Sequence, residues 1–180
     1  MKRILGVAVM LAIIAVGSSA RDKNVTVQTD KFTGETSVTM REIGIGTFTD
    51  RSHLGQNVDL SLAATSLSKQ PTPRVLMVIF SYSANWQFLG GADVRLLVDG
   101  ERIDLGHFAK MKGNIDGRIV TDTVAAPVDL SIFEKIASAK NVEMQIGTYE
   151  TKLKDKGIER VRAFVAAVAA LPIDSAKSSR

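Results

Sequence analysis

The chain contains no cysteine in its 180 residues, and this absence excludes two features. Disulfide bonds cannot form, even in the oxidising compartments that favour them. Lipid attachment to a cysteine just after a bacterial leader is excluded as well. An ordinary hydrophobic core must therefore stabilise the fold, and the chain is long enough to bury one.

Histidine is also scarce, because the chain has two, His53 and His107. Metal sites usually combine three or four His, Cys or carboxylate ligands, and neither a His-x-x-x-His spacing nor a His-Glu pair is present. We therefore expect no metal ion and no cofactor. Asp104 and His107 are the candidate catalytic residues, and their spacing in the sequence does not by itself show a contact between them. No Gly-x-Ser-x-Gly motif of a serine hydrolase accompanies the pair.

A strong excess of one charge is missing too. The formal net charge is +4, and Lys2 and Arg3 supply half of it, so the rest of the chain is nearly balanced. Nucleic-acid-binding surfaces usually show a basic patch or stripe, and we expect no nucleic-acid partner. The most apolar stretch after the first twenty residues, Ile158–Leu171, carries three charged residues and is too short to span a bilayer.

The first twenty residues are typical of a bacterial secretory signal. Lys2 and Arg3 precede an uncharged apolar run, and Ser18 and Ala20 lie at the −3 and −1 positions of a cleavage site. We expect cleavage near Ala20 and a periplasmic or extracellular protein with no stable membrane span after cleavage. The alternative is a permanent anchor, for which the apolar run is short. The predicted division is a signal peptide over 1–20, a single α+β domain over 21–171 and a disordered tail over 172–180.

Most of the remaining chain has the patterns of β-strands. Val58–Thr65 alternates apolar and polar residues, as a half-buried strand does. Val75–Phe80 is an unbroken apolar run, which predicts a central strand covered on both faces. Asp99-Gly100 separates two apolar-rich runs and predicts a tight hairpin of type I′.

Two helices are predicted near the end of the chain, at about 130–140 and 155–171. Ser131 and Glu134 fit a capping box for the first, and Asp129 is an alternative cap. Apolar residues three to four apart mark the second as amphipathic. The predicted fold is therefore α+β, a mainly antiparallel meandering sheet with two helices packed on one side.

Aromatic residues are few but concentrate between Phe80 and Phe88. In a straight strand, Tyr82, Trp86 and Phe88 share one face, and small polar residues occupy the other. These three residues are the candidate ligand-binding group, as a stacking platform for a sugar ring or an apolar peptide. The alternative is that the aromatic face is core, because a sheet must bury one face against its helices.

The last helix also has two interpretations. Val161, Val165 and Val168 lie three to four residues apart on its apolar stripe. The stripe either docks on the sheet or forms an interface between copies of the chain.

The second half of the chain has a recognisable order of motifs. A hairpin at Val98–Gly100 is followed by the segment Phe133–Val142, a strand that ends at Gly147 and a closing helix. With this order, the region from Trp86 to Leu171 resembles small exported bacterial domains of uncharacterised function. These motifs are structural, so the resemblance implies a layout and transfers no catalytic residue.

The leading functional expectation is an exported, non-enzymatic domain that binds a protein partner or a glycan or peptide of the cell envelope. Two alternatives remain open. One is an envelope-directed hydrolase that uses His107 and Asp104, and the other is a structural oligomeric envelope protein.

Overall fold

The computed structural model describes residues 23–50, 56–67 and 74–171, and within them the chain forms ten strands and two helices. In chain order these are β1 (Val25–Thr29), β2 (Thr36–Asp50), β3 (Gln56–Leu67), β4 (Arg74–Ser83), β5 (Ala92–Val98), β6 (Glu101–Lys110), β7 (Asn114–Asp116), β8 (Ile119–Asp129), α1 (Leu130–Ser138), β9 (Val142–Ile146), β10 (Tyr149–Lys152) and α2 (Asp155–Ala169).

The described strands form one curled, antiparallel sheet in the order β1-β2-β3-β4-β8-β6-β5-β9-β10, with β7 paired to β8. Side chains of the inner face and of both helices form one hydrophobic cluster. Thr151 in the edge strand β10 donates a hydrogen bond at 2.5 Å to the carbonyl of Ile45 in β2, the strand beside the opposite edge. The predicted α+β fold with a mainly antiparallel sheet is confirmed.

The helices pack on each other and on the inner face of the sheet. The rings of Phe133 in α1 and Phe164 in α2 lie 5.5 Å apart at a tilt of 56°, and both are fully buried. The guanidinium of Arg162 donates to the carbonyl of Ala137 at 3.0 Å, which adds a polar bond between the helices.

The predicted hairpin at Asp99-Gly100 is confirmed. Val98 pairs with Glu101, and the two turn residues have φ values of +47° and +91°, as a type I′ turn requires. Asp tolerates this conformation better than most residues, and glycine adopts it without steric cost.

Strand β4 is central, as predicted, but the expectation that both its faces are covered is wrong. Its odd-numbered residues are buried and its even-numbered residues are half-buried. The helices contact the inner face, so the even-numbered side chains, from Leu76 to Tyr82, point to an outer face that no described helix covers. An apolar run in the sequence shows hydrophobicity but not how many layers cover it.

Both helices begin at the predicted residues, but the capping of α1 and the ends of both helices differ from the prediction. Asp129 occupies the N-cap position of α1 without a side-chain cap bond, and Ser131 lies inside the helix, so the predicted capping box is wrong. The helices end at Ser138 and Ala169, two residues before the predicted ends. The predicted signal peptide 1–20, the cleavage site near Ala20 and the tail 172–180 lie outside the described residues, as does His53.

Candidate functional site

Three segments meet at one end of the sheet. They are the loop of residues 84–91 between β4 and β5, residues 110–113 from the last residue of β6 to the start of β7, and the β7–β8 hairpin. The loop begins because β4 ends at Ser83, whose hydroxyl bonds to the carbonyl of Asn85 at 2.5 Å and turns the chain. The backbone N–H of Met111 donates to the carbonyl of Thr123 at 2.7 Å, so the second segment also lies against β8.

A buried carboxylate holds the loop on the sheet. Asp122 in β8 is fully buried, and its Oδ2 accepts hydrogen bonds from the backbone N–H groups of Gln87 at 3.0 Å and Phe88 at 2.5 Å. Its Oδ1 accepts from the N–H of Thr123 at 3.1 Å. Three donors thus compensate for the burial of this charge. Phe88 is drawn into the core, where 2% of it is exposed.

The side chain of Gln87 connects the loop to the far edge of the sheet. Its amide nitrogen donates to the hydroxyl of Ser83 at 3.2 Å, and its Oε1 accepts from the hydroxyl of Tyr149 in β10 at 2.5 Å. The loop is therefore bonded to β4, β8 and β10, and its conformation is set by the scaffold.

Trp86, the single tryptophan of the chain, is half-buried between the loop and the second segment. The ammonium of Lys110 lies 4.6 Å from the centroid of its ring, within cation–π range. A side chain at Gly113 would collide with the ring and with the carbonyl of Thr121, so this close contact requires glycine. Trp86 thus joins the loop to residues 110–113.

Exposed apolar side chains lie on the same three segments as Trp86. Of the seven large apolar side chains that are exposed among the described residues, four lie on these segments: Leu89 at 67%, Ile115 at 60%, Ile119 at 54% and Met111 at 48%. An accumulation of exposed apolar side chains on a monomer is a typical mark of an interaction site.

Positive charge accompanies these side chains. Lys110, Lys112 and Arg118 are exposed, and Asp116 is the single acid within residues 84–91 and 110–119. We call this surface the basic apolar end. It comprises Trp86, Leu89, Lys110, Met111, Lys112, Ile115, Arg118 and Ile119. Only Trp86 of these residues is a candidate from the sequence alone, although Lys-Met-Lys and Gly-Arg-Ile show cations beside isolated apolar residues.

The predicted aromatic group does not form one surface. The chain leaves the strand after Ser83, so Trp86 lies in the loop and Phe88 turns inward to the core. Tyr82 points to the outer face, where its ring stacks on Phe80 with centroids 6.4 Å apart. Of the three candidates, Trp86 alone belongs to the basic apolar end.

Tyr82 instead belongs to a polar cluster on the outer face. Its hydroxyl donates to the carboxylate of Glu42 in β2, at 2.6 and 2.8 Å from the two oxygens. The hydroxyl of Ser61 in β3 donates to the same carboxylate at 2.5 Å. Burial, followed by the hydrogen bond and the charge of Glu42, raises the pKa of Tyr82 to about 12. A carboxylate that accepts both hydroxyls links three neighbouring strands.

The two residues of the candidate catalytic pair each have their own hydrogen-bond partners. Nδ1 of His107 lies 2.9 Å from a carboxylate oxygen of Asp93, and its Nε2 lies 3.0 Å from the carbonyl oxygen of Gly90. Asp104 accepts from the backbone N–H of Gly106 at 2.9 Å, and an Arg95 nitrogen lies 3.4 Å from it. The hydrogen bond of Gly106, followed by that of Arg95, lowers the pKa of Asp104.

The oligomer candidates on α2 differ in exposure. Val161 is fully buried, while Val165 and Val168 are half-buried and pack against the core. Val161 is therefore part of the chain's own hydrophobic core. Docking of the stripe on the core accounts for all three side chains.

A recess of about 510 Å³ lies at β5, β6, β9 and β10. Its polar side chains bond to one another, because Arg95 donates to Gln145 at 3.0 Å and Gln145 donates to Glu150 at 3.0 Å. Among the described residues, no group of three or more His, Asp and Glu side chains is placed to hold a metal ion. In the same part of the chain, no helix has the length and apolar character needed to cross a membrane.

No protein-family model, curated protein or solved structure matches this chain. A functional assignment therefore rests on the chain's own residues, and the basic apolar end holds four of the seven exposed large apolar side chains among the described residues.

Proposed function

We propose that this protein is an exported, non-enzymatic domain that binds a ligand of the cell envelope through its basic apolar end. The observation that carries the proposal is the gathering of four exposed apolar side chains and three cations on segments that the scaffold holds in place.

The loop architecture supports a binding role. Loops placed by a rigid scaffold are where binding residues concentrate. The bonds of the loop to Asp122 and Tyr149 order it before any ligand arrives. A surface that is already ordered loses less conformational entropy on binding.

The leader supports placement in the envelope. A basic start, an apolar run and small residues at the −3 and −1 positions are what a signal peptidase substrate needs. Export would bring the domain into contact with the ligands of the cell envelope, and its apolar, cationic end is suited to bind them.

The hydrolase alternative has no comparable support. Both ring nitrogens of His107 face oxygen acceptors, so a neutral ring satisfies one of them and a protonated ring satisfies both. In the neutral ring the unprotonated nitrogen lies against one of these two oxygens, a carboxylate or a carbonyl, and neither of them carries a proton for a general base to remove. Asp104 is bonded elsewhere, to Gly106 and Arg95.

The test begins with bacterial cells that express the full chain with a C-terminal tag. Fractionation is expected to place the protein outside the cytoplasm, and its mass is expected to show a new N-terminus near Arg21. An uncleaved cytoplasmic chain would contradict the export half of the proposal.

The binding half is tested by sedimentation of the processed protein with isolated cell envelopes. Ile115→Ser and the double variant Lys112→Gln/Arg118→Gln are expected to reduce sedimentation at least severalfold. Phe32→Ser is the matched apolar control, because Phe32 is 86% exposed on the β1–β2 turn. Lys154→Gln/Lys156→Gln, at the start of α2, is the charge control. Equal loss in controls and test variants, or no sedimentation of the wild type, overturns the proposed site.

A further inference from the structure

The β7–β8 hairpin carries apolar side chains on both of its faces. Asp116 pairs with Ile119 across the turn, and Ile115 pairs with Val120. Cross-strand partners share a face and successive residues alternate between faces. Ile115 and Ile119 therefore point in opposite directions, and both are more than half exposed.

This arrangement constrains the shape of the ligand. A flat surface of a folded partner packs against one face of a hairpin and leaves the other in water. A fluid layer of lipid can surround the tip and contact both faces. A fluid lipid layer can therefore bury Ile115 and Ile119 at the same time.

The cationic side chains indicate how deeply the hairpin enters the lipid layer and which headgroup charge it prefers. Arg118 lies in the two-residue turn at the tip, and Lys110 and Lys112 lie on the adjoining segment. Long cationic side chains place their charge at the phosphate level while their stems lie along apolar groups. Clustered cations also favour anionic lipid headgroups. Trp86, whose ring lies 4.6 Å from the ammonium of Lys110, has the amphipathic character of side chains at membrane interfaces.

We propose that the basic apolar end docks on the surface of an anionic phospholipid bilayer, with the hairpin tip in the headgroup region. This inference rests on the proposed function and names the ligand of the same site. Binding is peripheral and involves no membrane span.

The experiment uses the processed protein purified from the expressing cells and vesicles of phosphatidylglycerol with phosphatidylethanolamine, compared with phosphatidylcholine alone. Trp86 is the single tryptophan, so its emission reports from the site itself. We expect a blue shift on anionic vesicles, quenching by brominated lipid, and a weaker response at high salt. Soluble glycerol phosphate at the same phosphate concentration is expected to give no shift.

Variants test whether vesicle binding depends on the basic apolar end. Lys112→Gln/Arg118→Gln is expected to weaken vesicle binding by roughly ten- to thirtyfold, since two surface cations are lost. Ile115→Ser/Ile119→Ser is expected to abolish the blue shift, while Phe32→Ser and Lys154→Gln/Lys156→Gln bind as the wild type does. A remaining leader would bind vesicles whatever the residues at these positions, so loss of binding in the variants excludes that source.

The outcomes separate the two proposals. Sedimentation with envelopes without binding to anionic vesicles overturns the lipid assignment and leaves the proposed function standing, with a protein or glycan as ligand. Equal binding to both vesicle types, or an equal shift with glycerol phosphate, also overturns it. Failure of both envelopes and vesicles overturns the proposed function as well.

Discussion

Asp99 and Asn141 form a reciprocal pair of hydrogen bonds that ties the β5–β6 turn to the end of α1. The carboxylate of Asp99 accepts from the backbone N–H of Asn141 at 2.7 Å, and the carbonyl of Asn141 accepts from the N–H of Asp99 at 2.9 Å. The same carboxylate accepts from the N–H of Lys140 at 3.1 Å. Asp99 in the turn thus accepts hydrogen bonds from the N–H groups of Lys140 and Asn141, just after α1 ends.

Replacement of this acceptor is expected to lower the free energy of unfolding. Asp99→Ala removes the acceptor of two N–H groups and places alanine at positive φ, for a loss of about 2 kcal/mol. Asp99→Asn is expected to lose less, because asparagine tolerates this conformation and keeps one acceptor oxygen. Urea denaturation measures both. Glu101→Ala, which breaks an exposed ion pair with Lys135, is the control at about 0.5 kcal/mol. An Asp99→Ala midpoint equal to that of the control would contradict this account.

The buried carboxylate of Asp122 gives a second prediction. Asp122→Ala leaves the N–H groups of Gln87 and Phe88 without their acceptor, and we expect a loss of about 3 kcal/mol. The loop of residues 84–91 should also become the first site of limited proteolysis. Asp122→Asn keeps one acceptor and should fall between the alanine variant and the wild type.

The control for Asp122 is Asp116→Asn, a change at an exposed position. It should leave both stability and the proteolytic pattern close to those of the wild type. Unchanged cleavage of the loop in Asp122→Ala would show that other contacts hold it.

Parts of this architecture were predictable from the sequence because the signals are local. The Asp99-Gly100 turn depends on two residues whose backbone preferences are unusual, and Val58–Thr65 shows its strand by alternation alone. The two helices were predicted by the spacing of apolar residues, with errors at the ends, where capping contacts decide.

The candidate site was much less predictable, because long-range contacts create it. The sequence shows alternation from Phe80 to Phe88, and nothing local shows that Asp122 draws the N–H groups of Gln87 and Phe88 out of the strand path. His107 and Asp104 are close in sequence, but the register with β5 places Asp93 opposite His107 and Arg95 opposite Asp104. Cross-strand neighbours, not sequence neighbours, determine these partners.

The Tyr82–Glu42 contact predicts a pH effect. The pKa of Tyr82 rises from its ordinary value of 10.0 to about 12 in the folded protein, mainly through burial. The folded state thus holds the phenol proton more tightly than the unfolded state does. Its contribution to stability is complete below pH 10 and is lost as the pH rises towards about 12.

The measurement is phenolate absorbance in a Tyr149→Phe background, which leaves Tyr82 as the single titrating tyrosine. Glu42→Gln is expected to lower the pKa of Tyr82 while leaving it above 10.0, because burial remains. A Tyr82 that titrates at its ordinary value with Glu42 intact would show that this carboxylate does not hold the hydroxyl in solution.

The final prediction concerns the contact of Trp86 with Gly113. Gly113→Ala places a methyl group where the ring lies, and the carbonyl of Thr121 blocks the other side, so the ring must move away. We expect a red-shifted, more readily quenched emission and a loss of about 1–3 kcal/mol in stability, as in other overpacked sites. Gly44→Ala is the matched control, since an added Cβ there meets nothing within 4 Å. The wild type, with its ring half-buried beneath Lys110, should be only partly accessible to a neutral quencher. Identical emission from Gly113→Ala and the wild type would place the ring elsewhere in solution, and the basic apolar end would then lose the side chain that joins its loop to residues 110–113.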